Sequence, residues 1–407
     1  LIGRRAAAAI AIALAASILV ADAEVARAGV VDRLGAARFT AVDVDPVSGR
    51  VAVTGWRQGA RGHENAFVRV YGPQGSLLWS RKWIPPFSPT IGVRGDGYAE
   101  AVSFGPHGTV YMGGRVAAAC EGGGWFLRAF GRDGALRWHR EQAGWKECAV
   151  STKVTAIGAD TQRVIVGMQD FGCCGMPDTD GWIRAFDHRG RILWTNPFEP
   201  PGIPVEANDQ LTDLAIGGIG RIYAVGAAYH RAFSDTGGDI PDEDLMVQKI
   251  APSGGTIWTR VLPDGGAPDS DVATSVAVRG DRVVVGALTE LRGWAWPATW
   301  IGRFSFGGHL LWSRRIATKA WTYSHVSVAQ GGATYLAAGW RRDDVVIRKY
   351  GPTGSLVWQR VFGRGTRADL WASDIAARAS GVGAWLTITT YRRSDDRPSG
   401  ELRLVRR

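Results

Sequence analysis

Residues 334–358 read TYLAAGWRRDDVVIRKYGPTGSLVW, and most of a four-stranded unit is written in them. Thr334 to Gly339 is an apolar and aromatic run that closes on glycine, the composition of a buried strand. Arg341 to Asp344 forms a short charged link. Val345 to Tyr350 alternates again, the turn GPTG follows at once, and Ser355 to Trp358 opens the next strand. Alternation interrupted by a glycine-bearing tight turn is the signature of a β-hairpin.

The G-x-x-x-W that ends this unit recurs as GSLLW (75–79), GALRW (134–138), GRILW (190–194), GGTIW (254–258), GHLLW (308–312) and GSLVW (354–358). Successive tryptophans fall 59, 56, 64, 54 and 46 residues apart, too regular for chance. Each copy follows an alternating run such as AFVRVYGPQG or WFLRAFGRDG. Further upstream lies a second β-rich run closing on Gly55, Gly114, Gly167, Gly226, Gly286 or Gly339. Ahead of that stands a strand of small residues, as in AVDVDP, EAVSFG and SVAVRG. Four strands in each unit of roughly 40–50 residues is the pattern of a propeller blade.

A seventh copy starts near Leu370, continues to GELRLVRR and stops before any G-x-x-x-W strand. The segment GVVDRLG (29–35) has the apolar pattern of SLVWQRVFG (355–363), so the N-terminal segment is expected to supply the missing outer strand and remove the exposed edges of an open array. The expected fold is all-β: a seven-bladed β-propeller of four-stranded antiparallel blades, one domain over 29–407.

This repeat resembles that of the SBBP-type bacterial β-propeller family, whose units read roughly as an inner strand, G-N-x-Y-V-x-G, an acidic loop and K-Y-x-x-x-G-x-x-x-W. The resemblance covers residues 29–407 and implies a scaffold found in many exported proteins, with no ligand named. A more distant resemblance links AFDHRGRILW (185–194) and the adjacent Cys173 and Cys174 to the pyrroloquinoline-quinone alcohol dehydrogenases. Those enzymes are larger and eight-bladed, and their calcium-binding acidic set has no counterpart here. No cofactor is expected on the first resemblance, whereas the second would require quinone with Ca²⁺.

The chain has 407 residues with 45% hydrophobic and 21% charged, which excludes a disordered polar chain, and 55 Gly without a triplet period excludes a collagen. Residues 1–28 stand apart: Arg4 and Arg5, an apolar run from Ala6 to Val20, then small residues. This reads as a cleavable signal peptide, too short to span a bilayer, so a secreted or periplasmic location and no transmembrane segment in the mature chain are expected. The net charge of +10 is scattered, which fits a solvated surface and not a nucleic-acid stripe. Cys120, Cys148, Cys173 and Cys174 favour disulfides in an exported protein, with three connectivities open.

Four strands per blade, labelled A to D from the axis outward, place the A–B and C–D turns on one face and the B–C and D–A loops on the other. The C–D turns are uniformly tight while the other loops vary, and variable loops on a rigid scaffold are where binding sites are built. On that face Trp145, Trp294, Trp296 and Trp321, with Arg292 and Trp371, offer flat surfaces suited to sugar rings or Pro-rich peptides, or else pack under neighbouring loops. Aligned inner strands put Ala41, Ala101, Val154, Asp213, Ser275, His325 and Asp374 at the mouth of the axial channel. His325 with Asp374 and Asp213 would make a general base or metal set, or else hydrogen bonds between blades. The run DTGGDIPDED offers Asp235, Asp239, Asp242 and Asp244 as oxygen ligands for Ca²⁺, or as a solvated loop.

No G-x-S-x-G elbow, P-loop, H-E-x-x-H or dinucleotide fingerprint is present. The expectation is a non-catalytic monomer that binds a protein or polysaccharide outside the cytoplasm through the long-loop face. The alternative is an exported hydrolase, lyase or quinoprotein dehydrogenase with its site at the channel mouth.

Overall fold

The computed structural model describes residues 28–406 apart from 60–61, 89–92, 119–120, 143–150, 172–179, 201–208, 234–238, 263–270, 290–296, 319–322, 341–343, 364–367, 379 and 393–397. Seven four-stranded antiparallel sheets follow one another in chain order. Their innermost strands are Ala37–Val44, Asp96–Phe104, Ser151–Ala159, Gln210–Ile216, Asp271–Arg279, His325–Val328 and Ala368–Ala377, one for each of blades one to seven. Blade seven takes its outer strand from the other end of the chain. Ala28–Gly35 pairs antiparallel with Pro398–Val405, from Ala28 opposite Val405 to Gly35 opposite Ser399. The protein is a seven-bladed β-propeller closed by its N-terminal strand, as its repeat predicts.

The core lies between blades and not at the axis. Seven clusters of buried apolar side chains each draw on two neighbouring sheets, such as Val68 and Val70 of blade one with Phe104 and Met112 of blade two. A fully buried Val, Leu or Phe contributes about 1.5–3 kcal/mol over an exposed one, so no blade can bury its faces alone.

The repeat tryptophan is the outer clamp of each interface. Trp79 Nε1 donates to Arg132 O at 3.1 Å, Trp138 Nε1 to His188 O at 2.7 Å, and Trp194, Trp258 and Trp312 to the matching carbonyls Pro252, Phe306 and Pro352 at 3.3 Å. Every acceptor sits in the C–D turn of the next blade. The turn glycine lies flat against the indole, and a Cβ on Gly134 would stand 2.8 Å from Trp79, one on Gly354 2.6 Å from Trp312. The G and the W of one motif therefore face different neighbours: glycine receives the tryptophan of the blade before.

The seam alters this pattern. In the outer strand of blade seven Val31 takes the tryptophan's place, and a Cβ on Gly75 would meet it at 2.6 Å. Blade seven has no C–D turn, because its third strand, Pro398–Val405, and its fourth, Ala28–Gly35, are far apart in the sequence. Trp358, whose partner that turn would be, keeps a buried Nε1 with no hydrogen-bond partner among the described residues.

One expectation fails in blade four. The acidic run after Gly226 is not a loop throughout: Ile222–Phe233 and Asp239–Ile250 form one long ladder, with His230 opposite Asp242 and Ala228 opposite Asp244. Continued pairing satisfies the backbone polar groups that a long loop would leave to water.

Gly354→Ala is expected to lower stability by about 1–3 kcal/mol, because alanine is strained at a φ of 79° and its methyl collides with Trp312. Gly280→Ala has a φ of 62° with open space around it and isolates the backbone share, while Gly255→Ala should be near neutral. Urea midpoints of the three variants check the order.

Candidate functional site

Each inner strand but the short one of blade six carries a β-bulge on the approach to the channel mouth, for example between Phe39 and Ala41 or between Leu211 and Asp213. Counted from the paired strand, the mouth positions are Ala41, Ala101, Ala156, Asp213, Ser275, His325 and Asp374. Blade three corrects the sequence alignment: its bulge falls between Val154 and Ala156, so Ala156, opposite Gly167, takes the place expected of Val154.

The polar mouth residues are committed to holding the ring. Asp213 Oδ2 accepts from the Val276 amide of blade five at 2.8 Å and Oδ1 from Leu214 at 2.8 Å. Asp374 repeats the arrangement on Val42 of blade one at 2.8 Å and Ile375 at 2.7 Å. One level deeper, Asp43 does so on Phe104 and Val44, both at 2.7 Å. Ser275 Oγ takes the Val326 amide, and Ser327 Oγ the Ala377 amide. In each case a side chain accepts from the amide one residue past the same level in the next blade, a bond that keeps a buried N–H satisfied.

A second set of stitches went unseen in the sequence. The bulge residue before the mouth position donates its hydroxyl to the next inner strand: Thr40 to Ala99 O at 2.7 Å, Thr212 to Ala273 O at 2.6 Å and Thr274 to Ser324 O at 2.7 Å. The signal was available, since Thr40, Thr155, Thr212, Thr274, Ser324 and Ser373 precede the mouth residue in every blade but the second, where Glu100 stands.

His325 and Asp374 are brought together, with Nδ1 3.7 Å from Oδ1, and their side chains keep 19% and 25% of their surface open. That separation is too long for the hydrogen bond that would orient a general base. Burial pushes His325 down to about 4, so its imidazole is neutral at neutral pH. Burial also pushes Asp374 up to about 8; the Val42 amide pulls the other way and the charges of Asp213 and Asp43 add to the rise. Asp213 is raised to about 6 for the same first reason, with its two amide bonds opposing.

Beside His325, on the long-loop face, opens a cleft of about 450 Å³ that spans blades five, six, seven and one. Its wall includes Leu288, Tyr323, His325, Trp371, Ser373 and Arg38. Trp371 is 40% exposed and Tyr323 60%. The Arg38 guanidinium carbon stands 5.6 Å from the centre of the Trp371 ring, and Tyr391 packs at 5.3 Å on it. A larger cleft of about 640 Å³ lies on the opposite face, between the A–B turns Asp45–Ser48, Gly105–Gly108 and Ala159–Thr161. Tight turns gave no hint of it.

Trp145, Trp294, Trp296, Trp321, Arg292, Asp235, Cys120, Cys148, Cys173 and Cys174 lie outside the described residues, as do the side chains of Asp239 and Asp242. Asp244 is half-buried and partnered. Among the described residues no three His, Cys, Asp or Glu side chains are grouped to hold a metal ion, and no helix is long and apolar enough to cross a membrane.

No protein-family model matches the chain, and a search of curated proteins finds no match. Two solved structures are similar to it in fold. One is a PL25 polysaccharide lyase, an ulvan lyase bound to a saccharide, at 10% identity and a TM-score of 0.45 over 77% of this chain and 76% of that one. The other is the β-propeller domain of the Trilobed protease from Pyrococcus furiosus, at 9% identity and a TM-score of 0.47 over 91% and 94%. Likenesses of this degree carry no argument about activity.

If the mouth residues hold the ring, Asp213→Ala leaves the Val276 amide unsatisfied and costs about 1–3 kcal/mol, read as a lower denaturant midpoint. His325 supplies a pH test. Its folded value of about 4 lies below the ordinary 6.5, so the unfolded chain binds the extra proton and the His325 contribution to stability falls as pH drops from 6.5 to 4, while the raised Asp374 and Asp213 contribute in the opposite sense. His325→Gln should remove that one contribution, so the melting temperature of the variant relative to the unmodified protein should rise as pH is lowered from 6.5 to 4.

Proposed function

We propose that the protein is an exported, non-catalytic propeller that binds a polysaccharide or protein through its long-loop face, with Trp371 and Tyr323 as the central contacts. The observation that carries this reading is the cleft at the channel mouth, where two exposed aromatic rings and an arginine come from three different blades. Aromatic side chains offer a large contact area with little conformational freedom to lose, and a propeller holds them on a rigid base. Export is supported by the charged, apolar and small-residue order of residues 1–28. The repeat's resemblance to the SBBP-type units supports a scaffold role as well.

The enzyme reading draws less support. Both oxygens of Asp213 and of Asp374 accept backbone amides, and the His325 to Asp374 contact is long. Either aspartate, acting as a base, would weaken a blade-to-blade bond.

Affinity electrophoresis of the whole protein through gels containing a panel of soluble polysaccharides tests the proposal. Retardation by at least one polymer is expected, reduced about tenfold or more by Trp371→Ala with an unchanged melting temperature, as befits loss of a central aromatic contact. No retardation, together with no protein partner whose binding depends on Trp371 or Tyr323, would remove the basis for this reading.

A further inference from the structure

We propose that the cleft at the channel mouth selects an acidic saccharide, stacking a sugar ring on Trp371 and Tyr323 and pairing its carboxylate or sulfate with Arg38. The inference rests on the binding role given to this face and adds the ligand's charge.

What sets Arg38 apart is its place in the cleft wall. Some guanidinium groups of the ring are matched to carboxylates, such as Arg69 to Asp32 at 3.3 Å and Arg115 to Glu100 at 2.9 Å, and others turn to backbone carbonyls outside the cleft, such as Arg81 to Gly134 O and Arg140 to Gly190 O at 2.7 Å. Arg38 has no carboxylate partner among the described residues, and its guanidinium lies beside the Trp371 ring. A guanidinium left beside an aromatic in an open cleft keeps its donors free for an anion, and it meets a planar carboxylate or a sulfate with two parallel N–H groups.

The rest of the lining fits the same ligand. Among the described residues no Asp or Glu borders the cleft, so the permanent charge of that lining is Arg38 alone. His325 is neutral, since burial holds it near 4. The neighbouring Asp374 turns both oxygens to the Val42 and Ile375 amides. At about 450 Å³ the cleft is within the range of small-ligand sites and holds a few sugar rings, not a folded domain. The net charge of +10 adds a long-range attraction for an anionic polymer.

Titration calorimetry on the whole protein separates the parts of the proposal. The probes are trigalacturonate, its methyl ester with the same rings and no charge, a chondroitin sulfate disaccharide, and an oligoglutamate peptide. Trigalacturonate or the sulfated disaccharide should bind, and trigalacturonate should bind at least about tenfold more tightly than its ester, the size of one charge-assisted pair. Arg38→Gln should bring acid and ester to equal, weaker affinity, Arg38→Lys should restore part of the difference, and Trp371→Ala should weaken both. Melting temperatures confirm that each variant is folded, and the acid-to-ester ratio of the unmodified protein needs no variant at all. Equal affinity for acid and ester, no binding of either anionic saccharide, or binding of the peptide alone would overturn the acidic-saccharide proposal. If neutral glycans still bind in a way that requires Trp371, only the charge assignment falls; if nothing binds through Trp371, the role of the face falls with it.

Discussion

Everything in this ring depends on the contact between a tryptophan of one blade and the glycine turn of the next. The indole covers a backbone that has no side chain, and its N–H is satisfied by a carbonyl of the same turn, so the two requirements fix both distance and orientation. Blades one to six each carry a tryptophan on the side of one neighbour and the turn glycine on the side of the other, and the seam with blade seven departs from this. A motif of five residues thus specifies an interface between repeats, and the hydrophobic clusters between sheets supply most of the energy behind it.

The inner end of each interface is polar, and this decides what the channel mouth can do. Carboxylates and hydroxyls there accept from amides of the following blade, and bulge hydroxyls donate to its carbonyls. Such bonds cost little to make and much to break, because a lone buried amide loses its water without gaining a partner. Polar residues arranged in a ring look like a catalytic set in sequence, yet in this geometry each oxygen of Asp213 and Asp374 already accepts a backbone amide. Arg38 and the exposed aromatics stand outside that network, and no carboxylate among the described residues takes the Arg38 donors.

The repeat made the fold legible because G-x-x-x-W records a contact between blades, and contacts that recur leave a period in the sequence. The closing strand was legible for the same reason: GVVDRLG keeps the apolar spacing of an outer strand even with Val31 where tryptophan is usual. Registers within a strand left a weaker trace. In blade three Ala156 takes the place expected of Val154, two residues along, because alternate residues of that strand are all small or apolar and nothing in their composition marks the register. Asp239 to Asp244 carried loop residues by type and still formed a ladder, where pairing with the strand before outweighed propensity. The cleft between the A–B turns was invisible because it is made by the spacing of short turns and by no residue pattern.

The position of the long-loop cleft follows from how the ring is closed. The link from the outer strand of one blade to the inner strand of the next is 84–95 after blade one and 199–209 after blade three, but only 363–367 after blade six and Ala36 alone after blade seven. Ala36 makes its turn at a φ of 51°, a strained value for alanine that a longer link would not need. Closing the ring with the N-terminal strand brings Gly35 directly to Ala37, and the inner strand of blade one starts with no connecting segment over it. Arg38 and Trp371 therefore meet at the channel mouth where the connecting chain is shortest. The seam loses one clamp on the tight-turn face, at Trp358, and on the other face it carries the shortest link, beside which Arg38 and the exposed ring of Trp371 are found.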